Sequence, residues 1–161
     1  MQRLAPADAP GLAALIARCY GDAYPKRVMY RPAELAERIR TGAYDGVVAV
    51  AADAIVGHIG FSWPAPGASV VEAGTTVVDP RARGQGLMGR LGLALAGALI
   101  EEGASGFVHF PTTAHAVMQR ASLSAGGRET GLMLAYLPAE TRDLALDAEP
   151  DGRLAVTVVY Q

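Results

Sequence analysis

The sequence has little cysteine, little net charge and no long apolar run, and each shortage argues against a class of protein. A single cysteine among 161 residues cannot form an internal disulfide, so we expect a cytoplasmic protein. The formal net charge is −2 and no long basic run occurs, which predicts no nucleic-acid partner. The longest apolar stretch, residues 91–100, is too short to cross a bilayer, so no membrane partner is predicted. The three histidines and one cysteine lack metal-ligand spacing, so no metal site is predicted.

Apolar residues make up 51% of the chain, which is enough for the hydrophobic core of one domain spanning residues 1–161. Helices are predicted where apolar residues recur every three or four positions, and strands where β-branched runs lie between turn signals. The helical stripes are Leu12, Leu15, Ile16 and Cys19, then Leu35 and Ile39, then Leu87, Leu91, Leu95 and Leu99. Strands are predicted over 2–4, 46–51, 55–63, 70–78, 106–110, 128–137 and 154–160, and a last helix over 114–125. This mixture indicates an α/β (α+β) fold.

Residues 70–92 carry the strongest functional signal, because a strand, a proline, a basic glycine-rich turn and a helix follow one another there. The turn reads Arg81-Ala82-Arg83-Gly84-Gln85-Gly86. A helix N-terminus leaves backbone N–H groups without partners and carries the positive end of the helix dipole, so it attracts anions. We therefore predict that this turn binds a phosphate or pyrophosphate group of a phosphorylated cofactor.

Gly84, Gly86 and Gly89 also spell the G-x-G-x-x-G pattern of dinucleotide-binding domains, but their context differs. That pattern normally begins almost at the strand end, and an acidic residue ends the following strand to hold a ribose hydroxyl. Here residues 79–83 intervene, and the next strand ends His-Phe-Pro-Thr without a carboxylate. A Walker-type loop is excluded because no Gly-Lys-Ser/Thr follows. The context argues against a nicotinamide cofactor.

The motif V-x-P-x-x-R-G-x-G, from Val78 to Gly86, resembles the acyl-CoA-binding motif of the GNAT superfamily of N-acetyltransferases. The order of predicted elements is similar to that family over nearly the whole chain. The resemblance implies a mixed, mostly antiparallel central sheet of six to seven strands with helices on both faces. It also implies acetyl-CoA, or another acyl-CoA, as co-substrate, and a motif strand that splays from the next strand with a bulge near Gly74. The residues it places against the cofactor are Thr76, Val77, Val78, Arg83, Gly84, Gln85, Gly86, Leu87, Met88, Gly89 and His115.

Acyl transfer to an amine needs a base, an oxyanion donor and a proton for the leaving thiolate. Glu72 is the only carboxylate in the motif strand, and the resemblance implies a carboxylate there as the base. His109 and His115 are alternative bases, because imidazole titrates near neutral pH. The resemblance also implies an acid on the last helix, where Ser122 stands in place of the family's usual tyrosine. A serine hydroxyl is a poor substitute for a phenol, although a thiolate can leave unaided.

The resemblance implies an enzyme that transfers an acetyl group to a primary amine of a small molecule or protein through a ternary complex. The alternative is a catalytically silent acyl-CoA-binding sensor or interaction module of the same fold, which the serine at position 122 favours. Four aromatic residues are expected near the acceptor, whose identity the sequence leaves open: Tyr20, Tyr24, Tyr30 and Trp63. The last strand either completes its own sheet or pairs with a second copy in a homodimer.

Overall fold

A computed structural model of the chain describes residues 1–114, 116–141 and 152–161, and its centre is one sheet of seven strands. The strands are β1 (Gln2–Arg3), β2 (Asp45–Ala51), β3 (Ala54–Ser62), β4 (Val70–Val78), β5 (Gly106–His109), β6 (Arg128–Leu137) and β7 (Leu154–Tyr160). Their order across the sheet is β1-β2-β3-β4-β5-β7-β6. Neighbouring strands are antiparallel except for the parallel pair β4 and β5. The predicted mixed, mostly antiparallel sheet is confirmed.

Helices pack on both faces of this sheet, as predicted. They are α1 (Ala9–Tyr20), α2 (Pro32–Arg40), α3 (Leu87–Glu101) and α4 (Val117–Ser124). The leucine stripe of α3 is buried in a cluster with Val47, whereas the stripe of α1 is buried in a second cluster with Val48 and α2. Successive strand residues point to opposite faces, so neighbouring valines of β2 belong to different clusters. The apolar periodicity of the sequence therefore identified both helix–sheet interfaces.

The parallel strands β4 and β5 pair only where they begin. Residues 70–72 of β4 face residues 106–108 of β5. β5 ends at His109, whereas β4 continues to Val78, so within the described residues the second half of β4 has no partner strand on that side. The unpaired edge leaves backbone N–H and C=O groups available to a ligand.

A bulge distorts β4 within this unpaired half. His58 and Gly60 of β3 are two positions apart, whereas their partners Val77 and Gly74 are three apart. Thr75, inside the bulge, has a left-handed backbone with a φ of 56°. That conformation is strained for a β-branched residue, and bulges of this kind re-aim side chains near functional sites. The predicted bulge near Gly74 is confirmed.

The C-terminal third differs from the prediction at the start of the last helix and agrees with one of the two alternatives for the last strand. The last helix begins at Val117 rather than at residue 114, because Thr112 bridges to Val156 and Thr113 N donates to Ala155 O at 3.0 Å. The last strand, β7, lies between β5 and β6, so it completes its own sheet and β6 is the edge strand.

Among the described helices, none is long and apolar enough to cross a membrane.

Candidate functional site

A cavity of about 940 Å³ opens where β4 and β5 separate. Its walls come from the loop between α1 and α2, the second half of β4, the turn before α3 and the end of β5. The lining residues include Tyr20, Tyr24, Lys26, Glu72, Gly74 through Val78, Arg83, Gly84, Gly86 through Gly89, His109, Met118 and Tyr136. A concave site of this volume is large enough for a substrate-sized ligand.

The glycine-rich turn forms one wall of the cavity as an open cradle of backbone N–H groups. Gly84 and Gly86 have φ values of 75° and 69°, in the left-handed region that glycine adopts without steric cost. The first hydrogen bond of α3 runs from Arg90 N to Gly86 O at 3.2 Å, so the amides before Arg90 lack partners within the helix. A Cβ built on Gly84, Gly86 or Gly89 would meet no heavy atom within 4 Å. The arrangement suits a phosphate or pyrophosphate group.

Asp79 stabilises the start of this turn through hydrogen bonds. Its buried carboxylate accepts hydrogen bonds from Arg81 Nε and backbone N, both at 3.0 Å, and from Arg18 Nε at 2.8 Å. These bonds, those of Arg81 first, hold the pKa of Asp79 well below its usual range. The guanidinium of Arg81 is therefore bonded to Asp79. Arg83, in contrast, lines the cavity and donates from Nε to Val78 O at 3.1 Å.

Replacing Asp79 with Asn is expected to destabilise the protein by about 2 kcal/mol at pH 7, because an amide cannot accept all of these charge-assisted bonds. The lowered pKa means that the stabilisation is present above the ordinary carboxyl pKa of about 4 and is lost as pH falls. Urea unfolding at pH 7 and pH 3 measures both effects. The matched change Asp53→Asn, at an exposed turn, should have little effect. An equal Asp79→Asn effect at both pH values would contradict the account.

Most of the residues predicted to hold the cofactor lie around the cavity. The strand residues Thr76–Val78, Arg83 and the turn residues apart from Gln85 line it. Gln85 belongs to the turn but not to the lining. His115 lies outside the described residues. The free edge of β4 and the glycine-rich turn therefore line the same cavity, although residues 79–83 lie between them in the sequence.

Glu72 lies in the cavity at the position where β4 leaves β5. Its Oε1 is 3.1 Å from Nζ of Lys26, which is the only lysine in the sequence. Their side chains are 35% and 45% exposed, so a ligand can reach both. A Cβ on Gly74 would lie 3.7 Å from the Lys26 nitrogen, which places the ion pair beside the bulge. A carboxylate 3.1 Å from a primary amine has the spacing that a general base requires.

His109, at the end of β5, also lines the cavity. Its Nε2 is buried and has no hydrogen-bond partner within the described part of the chain. Its ring packs edge-on against Phe107, with 5.6 Å between the ring centroids. Burial lowers the pKa of His109, which favours the neutral ring at pH 7. The neutral nitrogen can accept a proton or a ligand hydrogen bond, so His109 is a second candidate base. Across the described ranges, no group of three or more His, Cys, Asp or Glu side chains could hold a metal ion.

Comparison with protein families decides what kind of domain surrounds this site. The model of the acetyltransferase (GNAT) family matches residues 9–121, well over half of the chain. The chain belongs to the GNAT acetyltransferase family. The family resemblance expected from the sequence is thereby confirmed. A search of curated proteins gave no significant match.

Solved acetyltransferase structures share the fold over nine-tenths or more of their length. The ribosomal-protein-S18-alanine N-acetyltransferase of Escherichia coli superimposes with a TM-score of 0.74 at 16% identity, covering 99% of this chain and 90% of that chain. A GNAT-family acetyltransferase of Streptococcus pneumoniae gives 0.78 at 13% identity, with 99% and 96% covered. The PaiA N-acetyltransferase of Thermoplasma acidophilum, in complex with coenzyme A, gives 0.66 at 13% identity, with 100% and 99% covered. At these identities the similarity shows the fold.

The proposed acid, Ser122, lies away from the GNAT cavity. The residue is 4% exposed within α4, and it is not part of the cavity lining. Its Oγ donates to Met118 O at 2.7 Å, the ordinary bond of a serine to the preceding helical turn. A buried hydroxyl that donates to its own helix cannot reach a leaving group in the cavity, so we assign it no chemical role.

Two of the four aromatic residues predicted near the acceptor, Tyr20 and Tyr24, line this cavity. Tyr20 and Tyr24 face it with ring centroids 4.9 Å apart, and Tyr30 Oη accepts a bond from Tyr24 N at 2.9 Å. The prediction for Trp63 is wrong, because this side chain packs against the α3 cluster on the other face of the sheet.

Two buried hydrogen bonds, unforeseen from the sequence, lie at the bulge and beside it. Tyr24 Oη donates to Thr75 Oγ1 at 3.1 Å, and Tyr44 Oη lies 2.6 Å from His58 Nε2. His58 Nδ1 is 3.0 Å from Val47 O, which can only accept, so Nδ1 carries the proton and Nε2 accepts from Tyr44. Burial lowers the pKa of His58 to about 4 and raises that of Tyr24 to about 12. Both groups are therefore neutral at pH 7, and the bond from Tyr24 helps to hold Thr75 in its strained conformation.

Two glycines in strands make room for the Tyr44–His58 pair. A Cβ on Gly60 would overlap the Tyr44 hydroxyl, and a Cβ on Gly46 would lie 2.8 Å from His58 Cε1. Glycine weakens a strand interior, so its presence often marks a close approach of another group. These two glycines are the signal in the sequence that could have indicated the buried pair.

Proposed function

We propose that this protein is an N-acetyltransferase that moves an acetyl group from acetyl-CoA to a primary amine. The observation that carries the proposal is that an open anion cradle and an unpaired strand edge meet in one cavity. The first suits the pyrophosphate of coenzyme A, and the second suits an extended pantetheine arm. A protein of similar fold was solved in complex with coenzyme A, which supports the same ligand here.

In this proposal each part of the cofactor has its own partner. The pyrophosphate binds the backbone amides from Gly84 to Gly89, with Arg83 beside it. The side chain of Met88 turns away so that its amide can donate. The pantetheine arm pairs with the free edge of β4 at Thr76–Val78, which brings the thioester towards the bulge.

Glu72 is assigned the role of general base. It takes one proton from the incoming ammonium, and the neutral nitrogen attacks the thioester carbonyl carbon. The carbon–sulfur bond breaks, and the leaving thiolate accepts the second proton lost by the nitrogen. The thiolate needs little help, because the pKa of a thiol is only about 8.5. Holding both substrates in one complex supplies much of the rate. The acceptor is a primary amine of a small molecule or of a protein.

A silent acyl-CoA sensor is the second candidate function. The burial of Ser122 favours it, because this side chain leaves the proposed centre without the acid implied by the family. The two candidates share the cofactor cradle and differ only in turnover.

Thermal unfolding and thiol release together test the proposal. Acetyl-CoA at 100 times its dissociation constant is expected to stabilise the protein by about 2.7 kcal/mol. Thiol release is then followed with a panel of polyamines, amino acids, aminoglycosides and peptide N-termini. Stabilisation with release on any amine supports the enzyme, and stabilisation without release on all of them supports the sensor. No stabilisation would exclude both.

A further inference from the structure

The only lysine of the chain lies where the proposed reaction needs an acceptor amine. Lys26 lines the cavity, and its Nζ is 3.1 Å from Oε1 of Glu72, the proposed base. We propose that Lys26 is itself an acetylation site, modified from acetyl-CoA by the same centre within the same chain. This inference rests on the proposed function.

Lys26 is the only side chain of the sequence that carries a primary amine. The chain has 14 lysine and arginine residues together, and all but Lys26 are arginine. An arginine guanidinium stays protonated in proteins and is a poor nucleophile, whereas a lysine amine becomes one as soon as it loses a proton. Lys26 is thus the single side chain that can form a stable amide with an acyl group.

The position of Lys26 fits attack on a thioester at the bulge. A Cβ on Gly74 would lie 3.7 Å from its Nζ, and Gly74 precedes the left-handed Thr75. The side chain is 45% exposed and has a flexible four-carbon stem, so it can move the short distance from the ion pair to the carbonyl. The nucleophile and base are already within hydrogen-bond distance, the arrangement that activates an amine.

The step balances without a further reactant. Glu72 takes one proton from the Lys26 ammonium, and the neutral nitrogen attacks the carbonyl carbon of acetyl-CoA. The carbon–sulfur bond breaks, and the thiolate accepts the second proton lost by nitrogen to become coenzyme A. The proton on Glu72 passes to water. Each chain then carries one acetamide and has released one thiol.

The test is thiol release from acetyl-CoA without added amine, with intact-mass and peptide mass spectrometry of the product. The wild type should release one thiol per chain and then stop, with one acetyl group on Lys26. Lys26→Arg should give no release, and Glu72→Gln should slow it about 100-fold. The double variant Lys26→Arg/Arg27→Lys is the matched control. It keeps one lysine but moves it to an exposed position that does not line the cavity, so it should stay unmodified.

A mixing experiment tests transfer within one chain. Gly86→Asp, which keeps Lys26 but should not bind the cofactor, is incubated with Lys26→Arg, which keeps the turn. The Gly86→Asp chain should remain unlabelled, and a label on it would overturn transfer within one chain.

Equal labelling of the double variant and the wild type would show chemical acetylation and overturn the inference. If the wild type binds acetyl-CoA and acetylates an external amine while Lys26 stays free, this inference is wrong but the proposed function stands. If acetyl-CoA does not bind, the proposed function fails.

Discussion

Replacing Gly86 with Asp is expected to weaken binding of coenzyme A by about 100-fold or more. A Cβ added at Gly86 would meet no heavy atom of the described residues within 4 Å, and the backbone there has a φ of 69°. An aspartate at this position would add a carboxylate to the turn that we propose binds the pyrophosphate, together with the strain of a left-handed backbone. Two like charges about 4 Å apart repel by several kcal/mol near a protein surface. Isothermal titration calorimetry with coenzyme A measures the loss.

Two further variants show which part of the effect comes from the site. Gly97→Asp makes the same change at an exposed glycine of α3, where a Cβ also meets nothing within 4 Å, and should leave the affinity unchanged. Gly86→Ala adds only the backbone strain and should cost about 1 kcal/mol of stability. Unchanged affinity in Gly86→Asp would remove the turn from the binding site.

Replacing Glu72 with Gln is expected to lower kcat about 100-fold to 10,000-fold, with the KM for acetyl-CoA nearly unchanged. Glutamine has the same shape and its oxygen can still accept a bond from Lys26, so the local structure is preserved. The amide cannot take a proton from the acceptor, so only the chemical step is affected. Steady-state kinetics across pH, on an amine that the panel identifies, measure both kcat and the pH–rate profile.

Glu101→Gln is the matched control, because Glu101 ends α3 at an exposed position outside the cavity lining. His109→Gln tests the second candidate base by the same kinetics. An unaltered pH–rate profile in Glu72→Gln together with a collapse of kcat in His109→Gln would transfer the role of base to His109.

The helices and strands were predicted well because their signals are local. The stripe Leu87, Leu91, Leu95 and Leu99 identifies α3, because residues four apart share one face of a helix. The bounds of β4, β6 and β7 agree with the prediction. The start of α4 was wrong by three residues, because Thr112 and Thr113 pair with residues of β7 more than 40 positions away. A tertiary contact there overrides the local helix signal.

The glycine-rich turn before α3 could also be predicted from the sequence, whereas the pairing of Glu72 with Lys26 could not. Left-handed glycines before a helix are a property of a few consecutive residues, so the sequence sufficed to locate them. The resemblance to the family pointed to Glu72 as a base, but nothing in the sequence joined it to Lys26. These residues are 46 positions apart, and the pair forms only because the loop after α1 folds over β4. Ser122 shows the reverse, a residue singled out by its position in the sequence and then buried by packing.

By itself, the sequence determined the helical stripes, the strands, the glycine-rich turn before α3 and the family, since each depends on the identity and spacing of nearby residues. The tertiary structure decided which side chains meet in the cavity. The bulge at Thr75 is the clearest case, because it shifts the alternation of β4 and so decides which residues face the α1 side. The Tyr24 hydroxyl, which donates to Thr75 Oγ1, helps to hold that bulge in place, and the long-range pairing of β3 with β4 sets its position. Strand register is fixed by the packing of the whole sheet rather than by any short stretch of sequence.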